Sequence, residues 1–223
     1  MSFESIEANA ERYEKFYRLL MSENEKFNIT AITDKKQFDI KCIEDCIAKN
    51  SVFKQGASVL EIGSGGGFPS VPLKIARSDL KFTLIESNEK KCNFLKKIKE
   101  EFSFENFSII CGRAEELAND ADLRESFDHV VARAVAPLNI LTELLLPFVK
   151  VGGKMIAFKG SNYEEEIESA NNAVETLGGV FCDAVEYELD EGFGKRALVV
   201  VEKIKTTDNK FPRKYAKIKK CPL

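Results

Sequence analysis

The stretch VLEIGSGGGFPSVPLKIA, residues 59–76, joins a short apolar run to a helical pattern through a glycine-rich turn. The glycines from Gly63 to Gly67 let the backbone turn sharply and let it approach a bound nucleotide closely. Pro69 can open the following helix, where its missing N–H costs nothing. KFTLIES (81–87) then reads as a strand ending in Glu86, NEKKCNFLKKIKEEF (88–102) as a helix and FSIICG (107–112) as a strand. FDHVVARAV (127–135), PLNILTELLLPFVK (137–150), GGKMIAFKG (152–160) and NYEEEIESANNAVETLG (162–178) continue the alternation of strand and helix. VFCDAVEYEL (180–189) and RALVVVEK (196–203) follow one another without a helix and are expected to pair antiparallel. Such alternation predicts a mainly parallel sheet covered on both faces.

In doubly wound sheets the ligand lies beyond the carboxyl ends of the strands, where this turn falls. Glu86 is placed to accept both hydroxyls of a ribose. A glycine turn alone is a weak signal, and a loop with no ligand is its ordinary alternative. With the terminal acid it leaves dinucleotides and S-adenosylmethionine. A dinucleotide needs helix N–H groups for its pyrophosphate; here Pro69 supplies none, and Glu61 precedes the turn. These features favour a cationic or zwitterionic ligand, and S-adenosylmethionine fits better. The turn Cys111-Gly112-Arg113-Ala114-Glu115-Glu116 would border the adenine, although acids also favour a helix start on their own account.

The formal charge of -3 hides an asymmetry. Residues 203–223 carry +7 and the rest of the chain -10. A basic segment on an acidic body suggests a polyanionic partner, against the alternative of a solvated tail that aids solubility. The six cysteines form no C-x-x-C pair, and His129 is the single histidine, so no metal site is expected. Cys42 and Cys46 would share a helix face as packing; Cys92, Cys111 and Cys182 read as small buried hydrophobes. No apolar run is long enough to span a membrane, and MSFESIEANAERYEKF is too polar and acidic for a secretory signal. With no disulfide framework, these features point to the cytoplasm. Phe3, Ile6, Ala10, Tyr13, Phe16, Tyr17 and Leu20 make one helical stripe, and Phe38, Cys42, Ile43, Cys46 and Ile47 another. The expected organisation is a helical cap over 1–50, a Rossmann-like domain over 51–203 and a basic tail over 204–223.

FNITAIT, VLEIGSGGGFPSVPLKIA, CGRAEEL, FDHVVARAVAPLNILTELLLPFVKVGG, FKG and FPRKYAKIKKCPL occur in the order found in the RsmG (GidB) family, which the sequence resembles over nearly its whole length. The resemblance implies a class I S-adenosylmethionine-dependent methyltransferase, an α/β Rossmann-like fold with a seven-stranded, mostly parallel sheet, an antiparallel last strand and a small N-terminal helical cap. It implies methylation of guanine N7 in 16S ribosomal RNA. Carried over by motif, Gly63, Ser64, Gly65 and Phe68 would shape the methionine and adenosine pocket, Glu86 would hold the ribose, and Ala114 with Glu115 the adenine. Arg133 would have a cofactor or catalytic role where methyl donor and acceptor meet; its alternative is an arginine paired with a helix carboxylate. Asn28 and Thr30 match the family's N-L-T segment, and Asp45 its aspartate. Cys42 stands where histidine is usual, and Glu23 where tryptophan is often found. Asn28, Lys159, Arg196, Lys210, Arg213, Lys214 and Lys217 would contact RNA, with Phe211 and Tyr215 interleaved as stacking groups. The implied partner is 16S rRNA or the small ribosomal subunit, met by a monomer, with no membrane and no metal.

Guanine N7 carries a lone pair and no proton, so methyl transfer to it needs no general base; positioning and dehydration are the enzyme's task. No D/N-P-P-Y/F motif follows the fourth strand and no cysteine lies in that strand motif, as this chemistry allows, and His129 reads as a strand side chain. Deleting residues 208–223 is expected to weaken RNA binding more than cofactor binding. The alternatives are a methyltransferase on another RNA or a small molecule, a non-catalytic RNA-binding assembly factor and, weakest, a nicotinamide-dependent oxidoreductase.

Overall fold

The computed structural model describes residues 4–223, so Phe3 lies outside the described residues. The strands are β1 (Ser58–Ile62), β2 (Lys81–Glu86), β3 (Phe107–Cys111), β4 (Phe127–Arg133), β5 (Val149–Lys159), β6 (Gly179–Phe181), β7 (Val185–Leu189) and β8 (Gly194–Lys203). They form one sheet in the order β3-β2-β1-β4-β5-β8-β6, with β7 also paired to β8. β1 to β5 run parallel to their neighbours, and β8 is antiparallel to β5. The eight segments fill seven positions. Residues 180–189, expected as one strand, are two, because three residues between Phe181 and Val185 face two between Val201 and Leu198. That extra residue is a bulge, which bends the strand and divides it.

The helices are α1 (Glu4–Glu7), α2 (Ala10–Asn24), α3 (Lys35–Phe38), α4 (Asp45–Ile47), α5 (Ser70–Ala76), α6 (Glu89–Glu101), α7 (Ala114–Leu117), α8 (Leu138–Leu145), α9 (Tyr163–Thr176) and α10 (Tyr215–Lys220). One face of the sheet packs Val59, Phe82, Leu84 and Val131 with Leu73, Leu95 and Ile98 of α5 and α6. The other packs Leu60, Val130, Met155 and Val201 with Leu141, Leu145 and Ala173 of α8 and α9. The central strands β1 and β4 are apolar on both faces, as a doubly covered sheet requires, whereas β7 exposes Glu186 and Glu188 on one face.

The N-terminal helices share the first of these cores. Tyr13, Phe16 and Leu20 recur at helical spacing and are buried, whereas Ala10 is exposed. Phe16 packs its ring 5.8 Å from Phe38 and 5.4 Å from Phe68, the residue that closes the glycine turn. Truncating a phenylalanine buried like this one to alanine costs about 3–5 kcal/mol. Between α2 and α3, Asn24 Oδ1 accepts from the N–H groups of Ile29 and Thr30, and Thr30 Oγ1 accepts from that of Ile32. These bonds explain the shape of FNITAIT; Asn28 is exposed. A π-helical turn, Asp39–Glu44, joins α3 to α4 and delivers Asp45 to the sheet.

The basic C-terminal segment is docked, which charge counting did not anticipate. Lys203 is fully buried, 3.1 Å from Glu125. Arg124 donates to the carbonyls of Thr207 and Phe211, and Phe211 and Ile218 enter the second core. Arg213 pairs with Glu143 at 2.6 Å, a carboxylate with no exposure at all. Among the described residues no helix is long and apolar enough to cross a membrane.

Candidate active site

The strand order reverses between β1 and β4, and the site occupies the crevice beyond their carboxyl ends. Gly63 leaves β1 at φ +70°, with its N–H on the Ile85 carbonyl at 2.8 Å. Gly65, at φ +52°, donates to Glu86 Oε2 at 2.8 Å. The other carboxylate oxygen of Glu86 accepts from Asn88 at 2.7 Å. The acid at the end of β2 therefore orients the glycine turn. A side chain built on Gly65 would meet nothing nearer than the Gly63 carbonyl at 3.9 Å, so it would fill the space above the turn.

Glu61 lies beneath the turn and is fully buried. Its Oε2 accepts from Ser70 N at 3.1 Å, at the start of α5, while Oε1 has no protein partner. Pro69 sits one position ahead of that helix and not inside it. Burial pushes the Glu61 carboxyl up to about 8, against the pull of Ser70 and Arg133. An unpartnered buried carboxylate oxygen is expensive. Near neutral pH the group therefore keeps its proton and is uncharged.

Two cavities meet here. A narrow cleft of about 110 Å³ is lined by Gly63, Ile85, Ser87, Ala114, Glu115 and Tyr215, among others. A wider cavity of about 870 Å³ is lined by Lys41, Asp45, Arg133, Lys159, Glu166 and Arg196, among others. Val135 borders both. It follows Ala134, held at φ +55°, and packs so close to Gly63 that a Cβ there would come within 2.8 Å of it. The loop after β4 thus separates the cleft from the cavity, and Gly63 must lack a side chain.

Arg133 ends β4. Its Nη1 is 3.1 Å from Asp45 Oδ2 and donates to Cys46 Sγ at 3.1 Å, and its guanidinium lies 5.6 Å from the Phe68 ring centre. The side chain is both at the site and paired with a helix carboxylate, so two readings that the sequence set against each other hold together. Burial lowers its proton affinity, but the thiols and Asp45 raise it further, so it stays charged. Asp45 Oδ1 also accepts from the Tyr187 hydroxyl at 2.8 Å, with Arg196 Nε 3.8 Å away.

The expected residues divide as follows. Gly63, Ala114 and Glu115 line the cleft, with Glu115 held by Arg113 at 3.1 Å. Ser64 is buried under the turn, and Phe68 belongs to the aromatic cluster with Phe16 and Phe38. Two of the basic residues expected on RNA have partners within the protein, and one of them, Lys159, also lines the wide cavity. Lys159 is held by Glu166 at 2.6 Å and by the Ala136 carbonyl, and Arg213 by Glu143. Each is engaged by a neighbouring carboxylate, and in the Arg213 pair that carboxylate is fully buried. Arg196 lines the wide cavity; Lys210 is exposed beside Asp208, and Lys214 is exposed.

Cys42, Cys46 and Cys92 are buried as expected, but Cys182 is only half-buried and Cys111 is exposed at the end of β3, its Sγ 2.7 Å from that of Cys92. His129 is a buried strand residue that accepts from the Lys54 N–H at 3.3 Å, and burial lowers its pKa to about 4. Among the described residues no cluster of three or more His, Cys, Asp or Glu stands ready for a metal. Sequence reasoning missed Val135, and it read Tyr215 as a stacking group for RNA and not as a lining of the cleft. An alternation of strand and helix gives no signal for a residue that reaches the site from the far end of the chain.

Comparison with known proteins accords with this geometry. The family model described as rRNA small subunit methyltransferase G (GidB) matches residues 9–189. Proteins named ribosomal RNA small subunit methyltransferase G are similar over nearly the whole chain. The one from Lactococcus lactis subsp. lactis is 43% identical over 95% of this chain and 90% of its own length. That of Brevibacillus brevis is 44% identical over 96% and 90%. Among solved structures, TYW2 of M. jannaschii in complex with AdoMet aligns with a TM-score of 0.58 at 18% identity, covering 80% of this chain and 81% of that one. A SAM dependent methyltransferase from Aquifex aeolicus aligns at 0.53 and 18%, covering 75% and 93%. These two likenesses bear on the fold alone, which is that of the Rossmann-like, class I methyltransferases.

Proposed function

The chain belongs to the rRNA small subunit methyltransferase G family, and from that premise we propose that it transfers a methyl group from S-adenosylmethionine to N7 of a guanine in 16S ribosomal RNA. The observation that carries this reading is the meeting of the narrow cleft and the wide cavity at Gly63 and Val135. A donor seated over the glycine turn can there face a base entering from the other side.

The cofactor supplies an electrophilic methyl on a sulfonium. The chain's own residues hold and exclude. Gly63 and Gly65 bring backbone close to the ligand, Glu86 faces the ribose, and Ala114 with Glu115 the purine. Glu61, buried and holding its proton near neutral pH, braces the start of α5 through Ser70. Ser64 and Phe68 support the turn from beneath and from the cap side. Arg133 keeps a fixed positive charge at the end of β4, immobilised by Asp45, where the acceptor base arrives. N7 attacks with its own lone pair, so none of these groups has to remove a proton before transfer. Effective concentration and a dry, preorganised site supply the rate.

On the RNA side the reading assigns Asn28, Arg196, Lys210, Lys214 and Lys217, and adds Lys219 and Lys220, which like Lys217 are exposed on α10. Bases of a single-stranded loop are open to stacking and edge contacts, and phosphates to these lysines. The acceptor in this reading is 16S rRNA or the small subunit, the compartment the cytoplasm and the working form a monomer. The functional division is a cap over 1–50, a catalytic domain over 51–203 and an RNA-facing segment over 204–223. Incubating the protein and cofactor with 16S rRNA, or with small subunits from cells lacking the gene, and mapping modified bases by mass or primer extension tests it. A methyl group at guanine N7 is expected; methylation at another atom, or none on either acceptor, overturns it.

A further inference from the structure

We propose that Tyr215 of the C-terminal helix is a binding residue for the purine of the methyl donor, so that the docked C-terminal segment forms one wall of the cofactor pocket. The inference deepens the reading of the cleft as the donor site and rests on it. Tyr215 lines the same narrow cleft as Gly63, Ile85, Ala114 and Glu115. The Arg113 guanidinium lies over one face of its ring, 4.9 Å from the ring centre, which leaves the opposite face free, and Arg113 is in turn fixed by Glu115 at 3.1 Å. The two residues therefore present a flat, preorganised aromatic surface, which suits a purine face.

The helix that carries Tyr215 is short and does not position itself. Ile218, one turn on, is fully buried in the second core and points the same way as Tyr215. Arg213, two residues before, is bound to Glu143 of α8 through its backbone N–H, Nε and Nη2. Phe211 is buried, and its carbonyl accepts from Arg124. The segment is thus pinned on both sides of Tyr215. The same segment shows Lys214, Lys217, Lys219 and Lys220 to solvent. One short stretch therefore faces the cleft with an aromatic ring and solvent with cations. This placement opposes the expectation that deleting residues 208–223 weakens RNA binding more than cofactor binding.

The test is calorimetric titration of the full chain and its Y215A and Y215F variants with S-adenosylmethionine, alongside tyrosine emission. The chain has five tyrosines and no tryptophan, so its intrinsic emission reports on tyrosine alone. Y215A is expected to raise the dissociation constant about tenfold, as loss of one base–aromatic contact does. Y215F keeps the ring and is expected to bind as the native chain does, while the quenching of emission by ligand falls. A thermal melt of each variant separates loss of contact from loss of fold, and Y215F decides the matter where Y215A does not fold. Native affinity in a folded Y215A, or undiminished quenching in Y215F, overturns the proposal. If the native chain does not bind the donor, the reading of the cleft fails with it, a result distinct from those two.

Discussion

Arg133 Nη1 lies 3.1 Å from Asp45 Oδ2, and this pair ties the carboxyl end of the fourth strand to the helical cap. Both side chains are largely withdrawn from water, at 16% and 9% exposure. In such surroundings the loss of one partner costs more than the pair contributes, because the other charge is left buried and unpaired. D45N is accordingly expected to destabilise the protein by about 3 kcal/mol. Y187F, which removes one hydrogen bond to the same carboxylate, is expected to cost about 1 kcal/mol. Denaturant unfolding of the two variants checks the ranking. A D45N protein as stable as the native one would mean that the cap is held by apolar packing alone.

Glu61 makes stability depend on pH in a defined direction. Its carboxyl ionises near 4.5 in an unfolded chain and near 8 when folded. Between those values the folded protein holds a proton that the unfolded chain has released, so stability falls as pH rises through the window. E61Q removes the titrating group. The variant is expected to lose this slope and to exceed the native protein in stability near pH 8, measured by unfolding midpoints at about pH 5 and pH 8. A native slope in E61Q would place the pH response elsewhere. His129 acts in the other direction: with its pKa lowered to about 4, it removes stability as pH drops below the usual histidine range.

The turn at Gly63–Gly67, the strand ending in Glu86 and the alternation of strands and helices were all readable, because each is written in local spacing. The antiparallel pairing of the last strands followed from the same pattern, whereas the strand order was not read from it. The bulge that divides residues 180–189 was not readable, since it depends on how many residues of β8 stand opposite. The basic segment misled for a related reason. A net charge of +7 says nothing of which cations are neutralised, and Lys203 and Arg213 are paired with carboxylates far away in sequence, Glu143 lying 70 residues from Arg213. Arg133 was placed correctly on its strand, but its partner arrives through the cap. Long-range ion pairs leave no periodicity.

Arg213 offers a direct check on that correction. R213A leaves Glu143 buried without its partner and is expected to be strongly destabilising, by about 3 kcal/mol or more. Replacing both residues, as R213L with E143L, is expected to regain most of that stability, because apolar groups of similar bulk fill the same space. RNA affinity of the double variant, measured by filter binding, is expected to match the native protein. If RNA binding is lost while the fold is restored, Arg213 contacts RNA after all.

The exposed lysines of the same segment are the complementary case. K217A, K219A and K220A remove cations that face solvent and leave Tyr215, Ile218 and the Arg213–Glu143 pair in place. Binding through phosphates releases counterions, so affinity falls with salt along a slope set by the number of contacts. For single-stranded RNA each lost contact should lower that slope by about 0.7. The triple variant is therefore expected to bind RNA more weakly at low salt, with a shallower salt dependence and an unchanged affinity for S-adenosylmethionine. The discriminating quantity is the slope, since general damage to the fold lowers affinity without flattening it. An unaltered slope would mean that these lysines only keep an acidic body soluble.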